Sequence, residues 1–581
     1  MNKKVLKRFL SYLKPDRIIL GIVVIVSLIS VILDVQLPKI LGEITTLIST
    51  SLVESNYTSV DMAGVFAIAK TLAILYILAS GLNFLGKFFM SRVASDLVYR
   101  IQKEIDEKLT RLPVRYFDEN SRGDLLSRAT NDVQTIDDSF AQVSGQIFTT
   151  VLSFIGIIIM MFTINIPLAL IGILGVPLSM FAVSIISKKS QASFASRQET
   201  TGRLNGYIEE YYSGHEVVKA FNYEERSQAE FIQLNEELYD HGWKAQFFAG
   251  LMQPISRLLN NVVYVFVAVV GGLMAANGLV AIGGIQAILQ YMQNISQPMG
   301  DGANMVGLTQ SMLAAAERIF ELLDAEEMEE ETGKPALPEV HGDVTFKHVS
   351  FGYTPEVQLM KDLNIDVKAG ETVAIVGPTG AGKTTVINLL MRFYDITGGA
   401  IEIDGHNIQD YTKESLRSKV GMVLQDTWLF KGTIRENIRY SRQDATVEEV
   451  VQAAKQAFAD DFIRKLPQGY DTVITEESDN ISQGQKQLLT IARAILASPS
   501  VFILDEATSN VDTRTEVEIQ KAMDHIMENK TSFVIAHRLS TIRNANKILV
   551  MQKGDVIEQG SHDELIRQNG FYAGLYRAQF E

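Results

Sequence analysis

The chain has no cysteine, which excludes disulfides and thiolate metal sites and leaves the redox compartment open. It also has no basic surplus. The formal net charge is −15, so a nucleic-acid surface built on Lys and Arg is not expected. After its first apolar run, Ile18 to Leu33, no small-x-small cleavage pattern follows, and more apolar runs do. This run is therefore expected to be a membrane helix and not a removed signal. What the chain does have is length and hydrophobicity. At 581 residues it exceeds one ordinary domain, and its mean hydropathy is +0.10 despite 21% charged residues. That average combines a strongly apolar first part, up to about residue 320, with a remainder composed like a soluble α/β domain.

A span needs about 20 mostly apolar residues. Six stretches qualify: about 18–48, 63–90, 142–164, 166–188, 246–275 and 281–307. The third and fourth are separated only by Thr163-Ile164-Asn165-Ile166-Pro167, a tight turn. Lys and Arg number eight in 91–141 (Arg92 to Arg128) and six in 188–243 (Lys188 to Arg226). The segments 49–62, 163–166 and 275–280 have none. This bias places the basic N-terminus (Lys3, Lys4, Lys7, Arg8, Lys14) and both long loops in the cytoplasm. Helical periodicity from Arg92 to Leu112 breaks at Pro113 to Asp118 and restarts at Gly123 to Arg128. Gly214 to Phe221 repeats the pattern. Such short helices at the ends of long ones are expected to transmit motion to the soluble part, and charge reversal at Asp124 or Glu216 should uncouple it.

Polar residues within spans are costly and need a reason. Gln286, Gln290, Gln293, Gln297 and Asp301 share one helix face. They either line a water-filled path or bond between helices. Asp34, Arg257, Asn260 and Asn261 are weaker candidates.

The acidic, proline-containing stretch 324–340 separates an expected membrane domain (1–323) from an expected nucleotide-binding domain (341–581). In the latter, the apolar run Thr372 to Val376 leads into Gly377-Pro378-Thr379-Gly380-Ala381-Gly382-Lys383-Thr384-Thr385. A helix is expected from about Val386. Strand, G-x-x-x-x-G-K-[ST] and helix together form a phosphate-binding loop. Its glycines let backbone N–H groups turn toward phosphate oxygens, Lys383 supplies a point charge, and Thr384 offers a hydroxyl to Mg²⁺. Val501 to Leu504 reads as a buried strand ending in Asp505, suited to Mg²⁺. The next carboxylate, Glu506, is suited to polarise an attacking water. His537 ends another expected core strand, Thr531 to Ala536. Val344 to Phe351 alternates like a half-exposed strand, and Tyr353 after it can stack on a base.

With these motifs the whole chain resembles a half-size ABC exporter: one all-α six-helix transmembrane domain with long cytoplasmic helices, fused to one α/β nucleotide-binding domain. The resemblance implies that Tyr353 stacks on the base of ATP. It implies that Gly377 to Thr385 is Walker A, and that Gln425 senses Mg²⁺ and water. Val501 to Asp505 would be Walker B, Glu506 the catalytic carboxylate, Ser509 to Asp512 the D-loop and His537 the switch histidine. Segments 117–128 and 214–221 resemble coupling helices. The family signature, Leu-Ser-Gly-Gly-Gln, is here Ile481-Ser482-Gln483-Gly484-Gln485, after Glu476-Glu477-Ser478-Asp479-Asn480. Ser482, Gly484 and Gln485 would cap the nucleotide of an opposite subunit, and Gln483 should hinder that approach. The pattern resembles the subunit of bacterial heterodimeric multidrug exporters that carries the catalytic glutamate. The expectation is ATP-driven export of amphipathic or hydrophobic compounds by a heterodimer in the lipid bilayer. The alternatives are a lipid or peptide exporter, or a homodimer. A non-transporting ATPase does not fit six spans, and an ATP-gated channel would be distinguished by ion conductance.

Overall fold

The computed structural model describes residues 3–354, 356–424, 427–475, 480–505, 512–536 and 539–580. It divides into two compact units, 1–111 with 121–325, and 112–120 with 326–581.

The first unit is helical: α1 (Lys3–Tyr12), α2 (Arg17–Glu54), α3 (Met62–Arg111), then α5 (Arg122–Ser127), α6 (Val133–Ile164), α7 (Ile166–Ser213), α8 (His215–Ala220), α9 (Glu224–Ala276) and α10 (Ile282–Leu323). Helix α4 (Val114–Glu119) belongs to the second unit. Among the described residues, five helices are long and apolar enough to cross a membrane: those containing α2, α3, α6, α7 and α9. Helix α10, expected as the sixth span, is not in that group, but it packs with them, placing Ile288, Tyr291 and Met292 against Val35, Met161, Leu168 and Val267. Outward, Ile25, Ile77, Leu174, Phe181 and Phe266 are exposed, as a lipid-facing surface requires. At about 1.5 Å per residue, the 50 residues of α3 extend far beyond the apolar core of a bilayer. The span read as 63–90 is therefore one part of a continuous rod.

Two turns follow from local chemistry. Asn165 adopts an extended conformation between α6 and α7, and its side chain caps α7 by accepting from the Leu168 N–H. Pro167 occupies the first turn, where no N–H is needed. Pro113 ends the regular run of α3, as expected. The residues after it differ from the expected break, because Val114–Glu119 is itself helical. Pro113, extended at φ −68° and ψ 153°, stands at its N-cap. Residues 128–132 then form a π-helical turn.

Among its described residues the second unit carries three sheets. The strands are β1 (Val344–Phe351), β2 (Met360–Val367), β3 (Thr372–Val376), β4 (Gly398–Ile403), β5 (His406–Asn407), β6 (Val420–Val423), β7 (Gly432–Thr433), β8 (Val473–Ile474), β9 (Val501–Asp505), β10 (Thr531–Ile535), β11 (Lys547–Gln552) and β12 (Asp555–Gly560). Strand order is β2-β1-β4-β5 in an antiparallel sheet and β12-β11-β3-β10-β9-β6 in the main sheet, with β7-β8 a separate pair. The main sheet is parallel from β11 through β6. Its central strands are buried on both faces, which is why β3, β9 and β10 read as continuous apolar runs. Leu337 and Val340, from the acidic stretch, are buried in this unit's core, and Glu331 pairs with the buried Arg392 at 2.9 Å.

Candidate nucleotide site and family

The register of the main sheet builds the site. Ile375 on β3 faces Ile535 on β10, which faces Asp505 on β9. The three strands therefore end together, with the phosphate-binding loop leaving β3 one residue beyond Val376. A parallel sheet presents ligands at this carboxyl edge.

The loop is a backbone cradle. Gly382 has φ +97° and immediately precedes the helix Lys383–Leu390, which begins three residues earlier than expected. A Cβ at Gly382 would also lie 3.2 Å from the Cα of Gly554. At Gly377 a Cβ would lie 2.3 Å from the carbonyl oxygen of Met551, so only glycine passes there. Gly380 also has positive φ, +78°, while Ala381 is buried. The ammonium of Lys383 donates to the carbonyls of Gly377 (2.8 Å) and Pro378 (3.1 Å), folding over the loop it belongs to. Burial lowers its pKa from the usual lysine range, and Asp505 opposes this by its charge. An anion in the cradle would meet an ammonium, loop N–H groups and the positive end of a helix.

Thr379 lies in the same loop. Thr384 is exposed and Thr385 buried, so two adjacent hydroxyls have opposite surroundings. Thr385 Oγ1 hydrogen-bonds the hydroxyl of Tyr353 at 2.9 Å. The Tyr353 ring, still 39% exposed, stands edge-on to Phe351 and Tyr394, with 5.0 Å between centroids in each case. One wall of the loop is therefore aromatic. Tyr394, missed by sequence reasoning, is 9% exposed and donates a short hydrogen bond to Asp118 of α4. Desolvation first, and then the Asp118 carboxylate, hold its phenol well above the usual tyrosine range. No local sequence signal pairs residues 276 positions apart.

The signature segment is also built locally. Ser482 is the N-cap of the helix Gln483–Ala497. Its hydroxyl accepts from the Gln485 N–H, and the Gln485 side chain accepts from the Ser482 N–H, forming a capping box. Gly484 is buried, whereas Gln483 is exposed and its amide donates to Thr427 Oγ1 at 3.1 Å. Gln425, Glu506, Ser509, Asn510, Val511 and His537 lie outside the described residues.

In the membrane unit, the Gln286 side chain accepts a hydrogen bond from Thr45 of α2, and Ser179 donates to Asn260 at 3.1 Å. These two polar residues bond between helices. Gln293 and Gln297, further along the same face, are exposed. Sequence reasoning passed over Lys39 and Glu43, which line a cavity of about 510 Å³. Two opposite charges four residues apart inside a span were the available signal.

Comparison with known proteins covers both units. The family model for the ABC transporter transmembrane region matches residues 20–299, and that for the ABC transporter matches 360–509. A protein of Mycobacterium tuberculosis named as a fatty acid ABC transporter ATP-binding/permease protein is 46% identical, covering 88% of this chain and 82% of its own length. The uncharacterized ABC transporter ATP-binding protein YfiC of Bacillus subtilis is 42% identical over 100% of this chain and 95% of its own. YgaD of the same organism, named for multidrug export, is 34% identical over 99% of each. The chain belongs to the ABC transporter family, as a multi-pass cytoplasmic-membrane protein that couples an ATP-hydrolysing domain to an exporter-type membrane domain.

Proposed function

We propose that this chain is one half of a heterodimer that exports amphipathic or hydrophobic compounds by alternating access. ATP phosphates sit in the cradle from Gly377 to Thr385, including Thr379, Gly380, Ala381 and Gly382, with Lys383 on the β/γ-phosphates and Tyr353 against the base. Mg²⁺ suits the hard oxygens of Thr384 and Asp505, with Gln425 as a further ligand. Glu506 polarises the attacking water, and His537 orients the transferred phosphate. Two bound ATP molecules hold the paired domains closed and favour the outward-facing state. Hydrolysis removes that preference.

Gln483 carries the heterodimer reading. Its side chain stands at the first turn of the signature helix, where a second chain's nucleotide would approach, and it is held by Thr427. A homodimer would place this obstruction in both sites. A partner with an unobstructed signature would complete the Walker side of this chain. Ser482, Gly484 and Gln485 would then form a weaker second site. A need for a second chain is further supported by α8, which has no buried residue and leaves Val217 61% and Phe221 77% exposed beside it. The substrate class rests on the apolar bundle and on relatives named for fatty acid and multidrug transport. The first of these names favours a lipid-like substrate as the second reading.

The test is ATPase activity of the chain alone and of the complex co-purified from its native membrane, each with and without amphipathic compounds. Low activity alone and stimulated activity in the complex are expected. A full stimulated rate from the chain alone would refute the heterodimer.

A further inference from the structure

We propose that the cavity between α2, α6 and α10, on the side of the bundle opposite the Lys/Arg-rich loops, receives the headgroup of a zwitterionic amphiphile. Lys39 would read its anionic group and Glu43 its ammonium. This deepens the transport reading above and rests on it. The cavity is an open one of about 510 Å³, the scale of small-molecule sites. Its depth is set by a close helix crossing. A Cβ on Gly42 would lie 2.2 Å from the carbonyl oxygen of Gly283, and the Gly283 N–H donates to Thr46 Oγ1 at 3.2 Å. Gly283 is the second residue of α10, so Gly42 is level with the end of that helix. Lys39 lies about one turn, ~4.5 Å, further into the bundle.

Lys39 and Glu43 are four residues apart on α2, so they share one face. Both line the cavity and both are exposed. Among the described residues, neither side chain has an ion-pair or hydrogen-bond partner. A lysine preceding a glutamate by four is the less favourable order for pairing along a helix. Leu47, Ile68, Ile164 and Ala287 complete an apolar wall. Two opposite, unpaired charges beside an apolar wall are matched by a ligand with both charges and a hydrocarbon tail. A purely anionic ligand would leave Lys39 satisfied but place its charge beside Glu43, and a cationic one would do the reverse.

The experiment uses the reconstituted native complex in nanodiscs and reads ATPase stimulation by four probes with the same twelve-carbon tail, below micellar concentration. These are dodecylphosphocholine (zwitterionic), dodecyl phosphate (anionic), dodecyltrimethylammonium (cationic) and dodecyl maltoside (neutral). In the wild type, dodecylphosphocholine should reach half-maximal stimulation at a concentration roughly fivefold lower than either the anionic or the cationic probe. Lys39→Gln should move the preference to the cation, and Glu43→Gln to the anion. The exchange Lys39→Glu with Glu43→Lys keeps both charges and should keep the zwitterion first. An unchanged rank order across all variants overturns the assignment, as does a wild type that prefers the anionic or the cationic probe, which needs no variant to fold. If the wild-type complex responds to none of the four, the transport reading fails with it. A response to the neutral probe alone overturns only this assignment.

Discussion

Tyr394→Phe removes one hydroxyl and leaves the ring. Edge-on packing on Phe351 (5.8 Å) and Tyr353 (5.0 Å) uses only the ring and survives. What is lost is the hydrogen bond to Asp118, which connects α4 to the wall of the nucleotide site. A hydrogen bond to a charged group contributes about 1.5–3 kcal/mol when both ends are buried. Here Asp118 is exposed and returns to water, which reduces the loss to about 1 kcal/mol, or a factor of about five in the opening equilibrium. Hydrogen exchange read by mass spectrometry on the peptide covering 112–120 should therefore accelerate about fivefold, with main-sheet peptides unchanged. Asp118→Ala should give the same acceleration, and the double variant no more than either alone. The raised phenol pKa fixes the pH window. The contact is fully present below the ordinary tyrosine range, near 10, and is lost only as pH rises through the higher folded value. Exchange in 112–120 that is unchanged in Tyr394→Phe, or additive effects in the double variant, would refute the reasoning.

Gly382→Ala places a Cβ at φ +97° and 3.2 Å from the Cα of Gly554. About 1–2 kcal/mol of strain should weaken ATP binding roughly tenfold, measured by titration with a fluorescent nucleotide. Glu506→Gln should bind ATP normally yet barely hydrolyse it, whereas Lys383→Ala should lose binding, and equilibrium binding beside steady-state turnover separates the two. Gln483→Gly removes the side chain held by Thr427 and should raise ATP turnover of the complex severalfold by freeing the second site; an unchanged rate would count against the obstruction. Gly42→Ala must displace the crossing by about 1 Å, since 2.2 Å is well short of ordinary contact. At roughly 1–3 kcal/mol of overpacking, it should lower the melting temperature by several degrees in detergent, as followed by intrinsic fluorescence.

The parts of the site that are contiguous along the chain are legible from residue order alone. Gly377 to Lys383 is a local motif whose glycines answer to local backbone demands. The strands β3, β9 and β10 are short apolar runs because a parallel sheet buries both faces. Ser482 with Gln485 is a capping box readable from spacing. The helix starting at Lys383 is less legible, since its first turn is shared with the loop and carries no apolar periodicity. The polar face of α10 is legible as a face, but not in its division between Gln286, bonded to Thr45, and the exposed Gln293.

The sequence by itself determined five apolar membrane helices, the strand and helix on either side of the glycine-rich loop, and the family, because each depends on composition or on residues near one another in the chain. Only the tertiary structure decided which distant residues meet. It placed Asp505 two strands from Ile375 through β10, set Tyr394 on Asp118, and brought Gly42 against Gly283 so that Lys39 and Glu43 line a cavity. Such meetings depend on strand order and helix crossings, which hydrophobic periodicity leaves open. Periodicity states which face is buried, and the packing of the whole unit selects what lies against it.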